Sequence, residues 1–168
     1  VDSRTVTFAL GLLVEVAASL RDQGLSAGEL ATRLEELAGR LRLLAVVDTL
    51  KYLKMGGRIS TASAVVGALL NISPIITIEN GLVEGIGKAR GRKAAFQWIA
   101  KRMEKEAPDL SLPVAFGHSN APDALAECRE AFAGLIPGLE NAQESPIGAV
   151  VGTHVGPGAA GMAYFKKV

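Results

Sequence analysis

Cysteine, aromatic residues and net charge are all scarce in this sequence. The shortages of cysteine and of net charge exclude several classes of protein. The 168 residues include one cysteine, Cys128, so the chain cannot form an internal disulfide and gives no sign of an oxidising compartment. The formal charge of +1 argues against a general binder of nucleic acid or anionic membrane. Glu15 and Ser19 interrupt the longest apolar stretch, below the ~18 residues of a membrane helix. The sequence therefore predicts a cytoplasmic protein with no integral membrane segment.

Apolar residues, by contrast, are plentiful enough to form a core. They make up 49% of the chain, which suits a single globular domain over residues 1–168. The chain begins Val1-Asp2-Ser3 without an initiator methionine. We therefore expect it to be one domain of a longer protein.

The residue pattern predicts helices that alternate irregularly with strands. Ser3 is a candidate N-cap for a first helix, and Ser26 to Glu29 has the spacing of a capping box before a second helix. Asn80-Gly81 predicts a hairpin. Further strands are expected at 43–47, 72–78, 82–89, 113–116, 139–142 and 162–167, further helices at 49–55, 62–70, 92–106 and 122–136, and a loop at 152–161. The predicted fold class is α+β, a mixed β-sheet with helices packed against it.

Three apparent nucleotide-binding or catalytic motifs lack the neighbouring residues or elements that their function needs. Gly156 to Gly161 reads G-x-G-x-x-G, but a strand is expected after it where a dinucleotide fold needs a helix. Gly87-Lys88 is followed by alanine where a P-loop needs serine or threonine. His118 and Ser119 are adjacent, so on a strand they point to opposite faces and cannot easily form a triad. With two histidines and one cysteine scattered along the chain, we expect no metal and no cofactor.

Gly56 to Thr61 is suited to binding an anion. The paired glycines permit a tight turn, a helix start would offer free N–H groups, and Arg58 adds a cation that matches a carboxylate or phosphate. The alternative is that Arg58 caps a neighbouring helix or forms a surface ion pair. Neither interpretation is favoured by these residues alone.

Two further polar segments have both a functional and a structural interpretation. Gly152 to Gly158 places Thr153 and His154 in a glycine-rich loop, where they are either functional or simply structural. A basic cluster, Lys88, Arg90, Arg92 and Lys93, is either a docking patch for an acidic partner or a solvated face.

Four ordered segments resemble the DegV family of fatty-acid-binding proteins. They are Tyr52-Leu-Lys-Met-Gly-Gly-Arg-Ile59, Leu69-Leu-Asn-Ile-Ser-Pro-Ile-Ile76, Gly87-Lys-Ala-Arg90 and Gly152-Thr-His-Val-Gly-Pro-Gly158. The resemblance covers essentially the whole chain. It implies the C-terminal domain of a two-domain protein whose N-terminal α/β domain, with its carboxylate-binding hydroxyls, is absent from this chain.

The resemblance also implies a function and roles for particular residues. The family binds one long-chain fatty acid, such as palmitate, stearate or oleate, and some members present it to a fatty acid kinase that makes an acyl phosphate. Arg58 would then belong to the polar network of the carboxylate, and His154 would lie near the same headgroup as a hydrogen-bond donor and a contact for the kinase. Thr153 would also bind the ligand, and Arg90 would dock the kinase. Candidates for the tunnel lining are Ile59, Val65, Val66, Leu69, Leu70, Ile72 and Ile75.

The sequence departs from the family pattern at two positions. It is also compatible with two other functions. Met55 and Ser73 stand where many relatives carry lysine, which lowers the positive charge of the partner surface. A small enzyme would use His154 as acid or base and Arg58 as an anion clamp. A regulatory module would dock a protein or nucleic acid through the basic cluster.

Overall fold

A computed structural model describes residues 1–58 and 71–168. The described residues form six helices and a six-stranded sheet. The helices are α1 (Thr7–Asp22), α2 (Ala27–Arg40), α3 (Lys51–Met55), α4 (Arg92–Met103), α5 (Pro122–Phe132) and α6 (Ala149–Val155). The strands are β1 (Leu41–Val46), β2 (Ile72–Glu79), β3 (Leu82–Arg90), β4 (Ala115–Ser119), β5 (Gln143–Pro146) and β6 (Ala159–Phe165).

The sheet is mixed, in the order β3-β2-β1-β6-β4-β5. Only β4 and β5 pair in parallel, and the other neighbours are antiparallel. Asn80 and Gly81 turn β2 into β3 with positive φ angles of 51° and 80°, as a tight hairpin of this type requires. The expected α+β class and the hairpin are confirmed.

Strand alternation divides the interior into two cores, one on each face of the sheet. In β1, Leu43 and Ala45 face α1, α2, α3 and α6, whereas Leu44 and Val46 face α4 and α5. This separation follows from the two-residue period of a strand. The helices of the first face enclose the candidate site.

Several boundaries differ from the sequence-based expectations. The capping box of Ser26 and Glu29 is present at the start of α2, but Ser3 caps nothing, because α1 begins only after Val6. The expected strand at 139–142 is wrong, since Leu139–Asn141 is a 3-10 turn and the strand follows it as β5. The expected helix at 62–70 lies outside the described residues.

The most consequential correction concerns the segment expected to be a loop at 152–161. Its first part belongs to helix α6, which starts after Gly148 and ends at Gly156, whose φ is 77°. Its last part is the start of β6. Glycine at both helix boundaries, with Pro157 just beyond, delimits a short helix. No helix in the described ranges has the length and apolarity to cross a membrane.

Candidate ligand-binding site

A largely apolar cavity of about 460 Å³ lies between the first face of the sheet and the helices that cover it. This volume is within the range of roughly 300–1,000 Å³ typical of small-molecule sites. Its apolar lining comprises Val6, Phe8, Leu43, Ala45, Leu53, Ile76, Ile78, Gly81, Val83, Ile147, Val150, Val151, Val155, Ala159 and Gly161. Its polar lining comprises Asp2, Arg4, Thr5, Thr7, Arg58 and His154.

The cavity exists because small residues form its floor. Ala45, Gly161 and Gly117 lie in register across β1, β6 and β4, and we call these three residues the trough. A methyl group at Gly161 would overlap the carbonyl oxygen of Leu44. A larger side chain at Ala45 or Gly161, which line the cavity, would take up the space that it occupies.

Arg58 and His154 come from separate segments and line the same cavity. Arg58 follows α3, and its Nη1 donates a hydrogen bond of 2.7 Å to the carbonyl oxygen of Gly56. Within residues 1–58 and 71–168 the other guanidinium nitrogens have no hydrogen-bond partner, and nitrogens of this kind pair well with a carboxylate. His154 lies on α6, and its ring packs where a side chain at Gly56 would stand.

The Nδ1 atom of His154 is buried, and no hydrogen-bond partner for it occurs within 1–58 or 71–168. A buried polar atom of this kind costs free energy unless it is paired. A ligand or a bound water that reached this nitrogen would remove that cost.

Glycine contacts fix the position of α6 against the segment around α3. Tyr52 packs on Gly156 and Asp48 packs on Gly158, and a methyl group at either glycine would overlap these side chains. Together with the contact of His154 on Gly56, they join two of the segments that carry the family resemblance. These contacts hold α6, which carries His154, against the segment that carries Arg58.

Other residues expected at the site lie elsewhere. Thr153 is exposed, and its Oγ1 donates to the carbonyl oxygen of Ala149 within α6. Ile72 lines a separate polar pocket with Arg90, and Ile75 is buried in the core of the opposite face. The phase of β2 accounts for Ile75, since its neighbour Ile76 and the next residue of the same phase, Ile78, line the cavity. Ile72 has the phase of Ile76, but it is the first residue of β2 and pairs with Arg90. Five further candidates, Ile59, Val65, Val66, Leu69 and Leu70, lie outside the described residues.

The residues of the basic cluster differ in their surroundings: one forms an ion pair between two helices, and others are exposed to solvent. Arg92 pairs with Glu127 through two hydrogen bonds of 3.0 and 2.7 Å, linking α4 to α5. Lys88 and Arg90 are exposed on the edge strand β3. His118 also has a structural contact, because its Nδ1 accepts a hydrogen bond from the backbone of Ala121 just before α5.

Two buried groups have pKa values moved away from their ordinary range. Burial raises the pKa of the Cys128 thiol and makes it a poor nucleophile. Burial, with the charge of Glu106, raises the pKa of Tyr164 to about 12. Both belong to the core facing α4 and α5, and within the described chain no cluster of metal-ligating side chains occurs.

The fold and this cavity define an α+β domain with a small-molecule site that is mainly apolar and whose lining includes Arg58 and His154. The chain belongs to the DegV family: the family model described as "Uncharacterised protein, DegV family COG1307" matches residues 1–167. Protein DegV of Bacillus subtilis is 34% identical over 168 residues, which are 99% of this chain and 60% of that protein.

Solved structures of related proteins have the same fold. A DegV family protein from Thermus thermophilus, described for its fatty acid binding, is 34% identical with a TM-score of 0.87 and is matched over 99% of this chain and 60% of its own. A fatty-acid-binding DegV family protein from Streptococcus agalactiae is 26% identical with a TM-score of 0.85. It is matched over 100% of this chain and 59% of its own. The chain thus spans about three-fifths of the length of these relatives.

Proposed function

We propose that this chain binds one long-chain fatty acid, with the acyl chain in the apolar cavity and the carboxylate at Arg58 and His154. The observation that carries the proposal is that these two side chains line an otherwise mainly apolar cavity. An apolar tail excludes water, and a planar guanidinium pairs with a carboxylate in a bidentate geometry. The fatty acid binding described for the relatives from Thermus thermophilus and Streptococcus agalactiae supports this assignment.

The energetics of such a ligand favour tight retention. Each buried methylene contributes about 0.8 kcal/mol, so a sixteen-carbon tail contributes on the order of 12 kcal/mol before the costs of association. Arg58 offsets the cost of taking the carboxylate out of water. Palmitate, stearate and oleate are the expected ligands.

The site is incomplete within this chain, in our proposal. Val150 lines the cavity but is 81% exposed, so the cavity is open beside α6. The remaining two-fifths of the relatives' length would supply a preceding α/β domain that covers this side and adds hydroxyl groups to the carboxylate site. On this view, residues 1–168 are the C-terminal domain.

We also propose a carrier role in the cytoplasm rather than catalysis by this chain. A fatty acid kinase would phosphorylate the bound carboxylate to an acyl phosphate. Lys88 and Arg90, exposed on β3, and Lys93, exposed in the first turn of α4, are the members of the basic cluster that would dock it, whereas Arg92 is engaged with Glu127. Charge reversal by Arg90→Glu should then abolish phosphorylation and leave fatty acid binding intact.

Native mass spectrometry of the full-length protein, purified without added lipid, tests the proposal. We expect one C16–C18 acid per protein, and at least a tenfold lower affinity for palmitate in Arg58→Ala and His154→Ala. Arg33→Ala, which removes an exposed arginine paired with Glu36 on α2, is the matched control. A protein that stays empty after incubation with palmitate and oleate would refute fatty acid binding and favour the enzyme interpretation.

A further inference from the structure

A second cavity of about 330 Å³ adjoins the first on the same face of the sheet. Its walls include Gly11, Ala115, Gln143, Ser145, Pro146 and Gly148. Thr7 and Phe8, in the first turn of α1, line both cavities. These two residues therefore form the wall between them.

Phe8 occupies the trough at the point where the two cavities meet. Its ring lies over Gly117, where a methyl group would overlap the ring carbons Cδ1 and Cε1. In the sheet, Gly117 pairs with Gly161 of the first cavity on one side and with Ser145 of the second cavity on the other. The floor is thus continuous from one cavity to the other, and the Phe8 side chain, 7% exposed, interrupts the space above it.

We propose that Phe8 sets the maximum length of the acyl chain that this site accepts. This inference rests on the proposed fatty acid binding. A phenylalanine ring is rigid, so a tail that reaches it must stop or bend rather than pass through. Up to that length each added methylene strengthens binding about fourfold, and beyond it the gain ends.

Substitutions at Phe8 and at Gly117 should change the maximum acyl-chain length in opposite directions. Phe8→Ala joins the two cavities, so the longest chain that still gains affinity should increase. Gly117→Ala displaces the ring from the sheet into the space above, so that length should decrease. In the double variant the new methyl group no longer meets a ring. It still lies 2.9 Å from the backbone carbonyl oxygen of Ser145, so the preference should return toward that of Phe8→Ala without reaching it fully.

The experiment measures dissociation constants of the full-length protein for saturated acids from C12 to C22. Phe8→Leu is included as a milder variant that keeps the core filled. Phe132→Leu, which removes a ring from the core of the opposite face, is the matched control for lost stability. We expect the break in affinity to shift by at least two carbons to longer acids in Phe8→Ala, by less in Phe8→Leu, and not at all in Phe132→Leu.

The possible failures are distinguishable. If the unaltered protein binds none of these acids, the proposed function itself is wrong and the inference falls with it. If it binds them but the break stays at one length in every Phe8 and Gly117 variant, only the inference is overturned. An equal shift in Phe132→Leu would also overturn it, because a general loosening of the domain would then explain the change.

Discussion

At the scale of single residues, glycine determines how His154 packs beside the segment that carries Arg58. Gly56 has φ near −80°, which any residue can adopt, so its backbone conformation does not require glycine. What requires glycine is the imidazole of His154, which occupies the place of a side chain. The absence of a side chain at Gly56 therefore positions His154.

Gly56→Ala should both destabilise the domain and weaken ligand binding. The new methyl group must displace His154, and overpacking of this kind costs about 1–3 kcal/mol. Fatty acid affinity should fall together with the free energy of unfolding, measured by titration and by urea denaturation. Gly28→Ala in α2 is the control: no atom lies near a methyl group there, and stability should rise by about 0.5–1 kcal/mol. Unchanged affinity in Gly56→Ala would show that His154 takes no part in binding.

Sequence patterns predict the polar residues that line the cavity better than the apolar ones. Arg58 and His154 are recognisable because a polar group in a glycine-rich segment has few structural roles. The inward residues Ile76 and Ala45 are not, because Ile75 and Ile76 are equally apolar and only tertiary pairing decides which one faces the cavity. The helical hydrogen bond of Thr153 likewise cannot be foreseen while the segment is read as a loop.

At the scale of elements, tertiary contacts override local composition in α6. Its seven residues include Gly152 and three valines, a poor sequence for an isolated helix. Packing on the segment around α3 holds it, through Tyr52 on Gly156 and His154 on Gly56. The long amphipathic α2 and the hairpin at Asn80-Gly81 need no such support, so the sequence alone predicts them.

The pair between Arg92 and Glu127 should make the packing of α4 on α5 depend on pH. The hydrogen bonds and charge of Arg92 lower the pKa of Glu127 below its ordinary value. A carboxylate with a lowered folded-state pKa stabilises the protein above its unfolded pKa, and this contribution is lost as the pH falls through the folded value. Glu127→Gln should therefore cost about 0.5 kcal/mol at pH 7, after allowance for solvent screening, and almost nothing near pH 2.

Thermal unfolding at the two pH values measures this difference. Glu36→Gln, whose ion pair with Arg33 lies within one helix, should show a smaller loss because it links no two elements. A Glu127→Gln penalty that persists unchanged in acid would assign the effect to packing rather than to charge.

At the scale of the whole molecule, the cavity interrupts one core while the other is filled. The face covered by α4 and α5 buries Phe96, Phe116 and Phe132 completely. The opposite face surrounds a space of about 460 Å³, so a bound ligand completes its packing. The stability of the domain should consequently depend on the concentration of the acid.

Palmitate at one hundred times its dissociation constant should stabilise the protein by about 2.7 kcal/mol. For a domain of this size that corresponds to a rise in Tm of roughly 5–10 °C. Differential scanning fluorimetry measures it, with methyl palmitate as the control ligand that lacks a carboxylate. An equal rise in Tm with the ester would show that Arg58 takes no part in recognising the ligand.

The order of the strands has a consequence for how the chain is made. Strand β6, the last in the sequence, lies between β1 and β4 in the sheet. Until it emerges from the ribosome, the antiparallel strands β1, β2 and β3 have no hydrogen bonds to the parallel pair β4 and β5 through the sheet. Because Leu41 must meet Phe165, the central pairing closes a loop of more than a hundred residues. The centre of the sheet therefore cannot form until β6 has been synthesised, and the pairing of β6 with β1 and β4 is a late step in the folding of this domain.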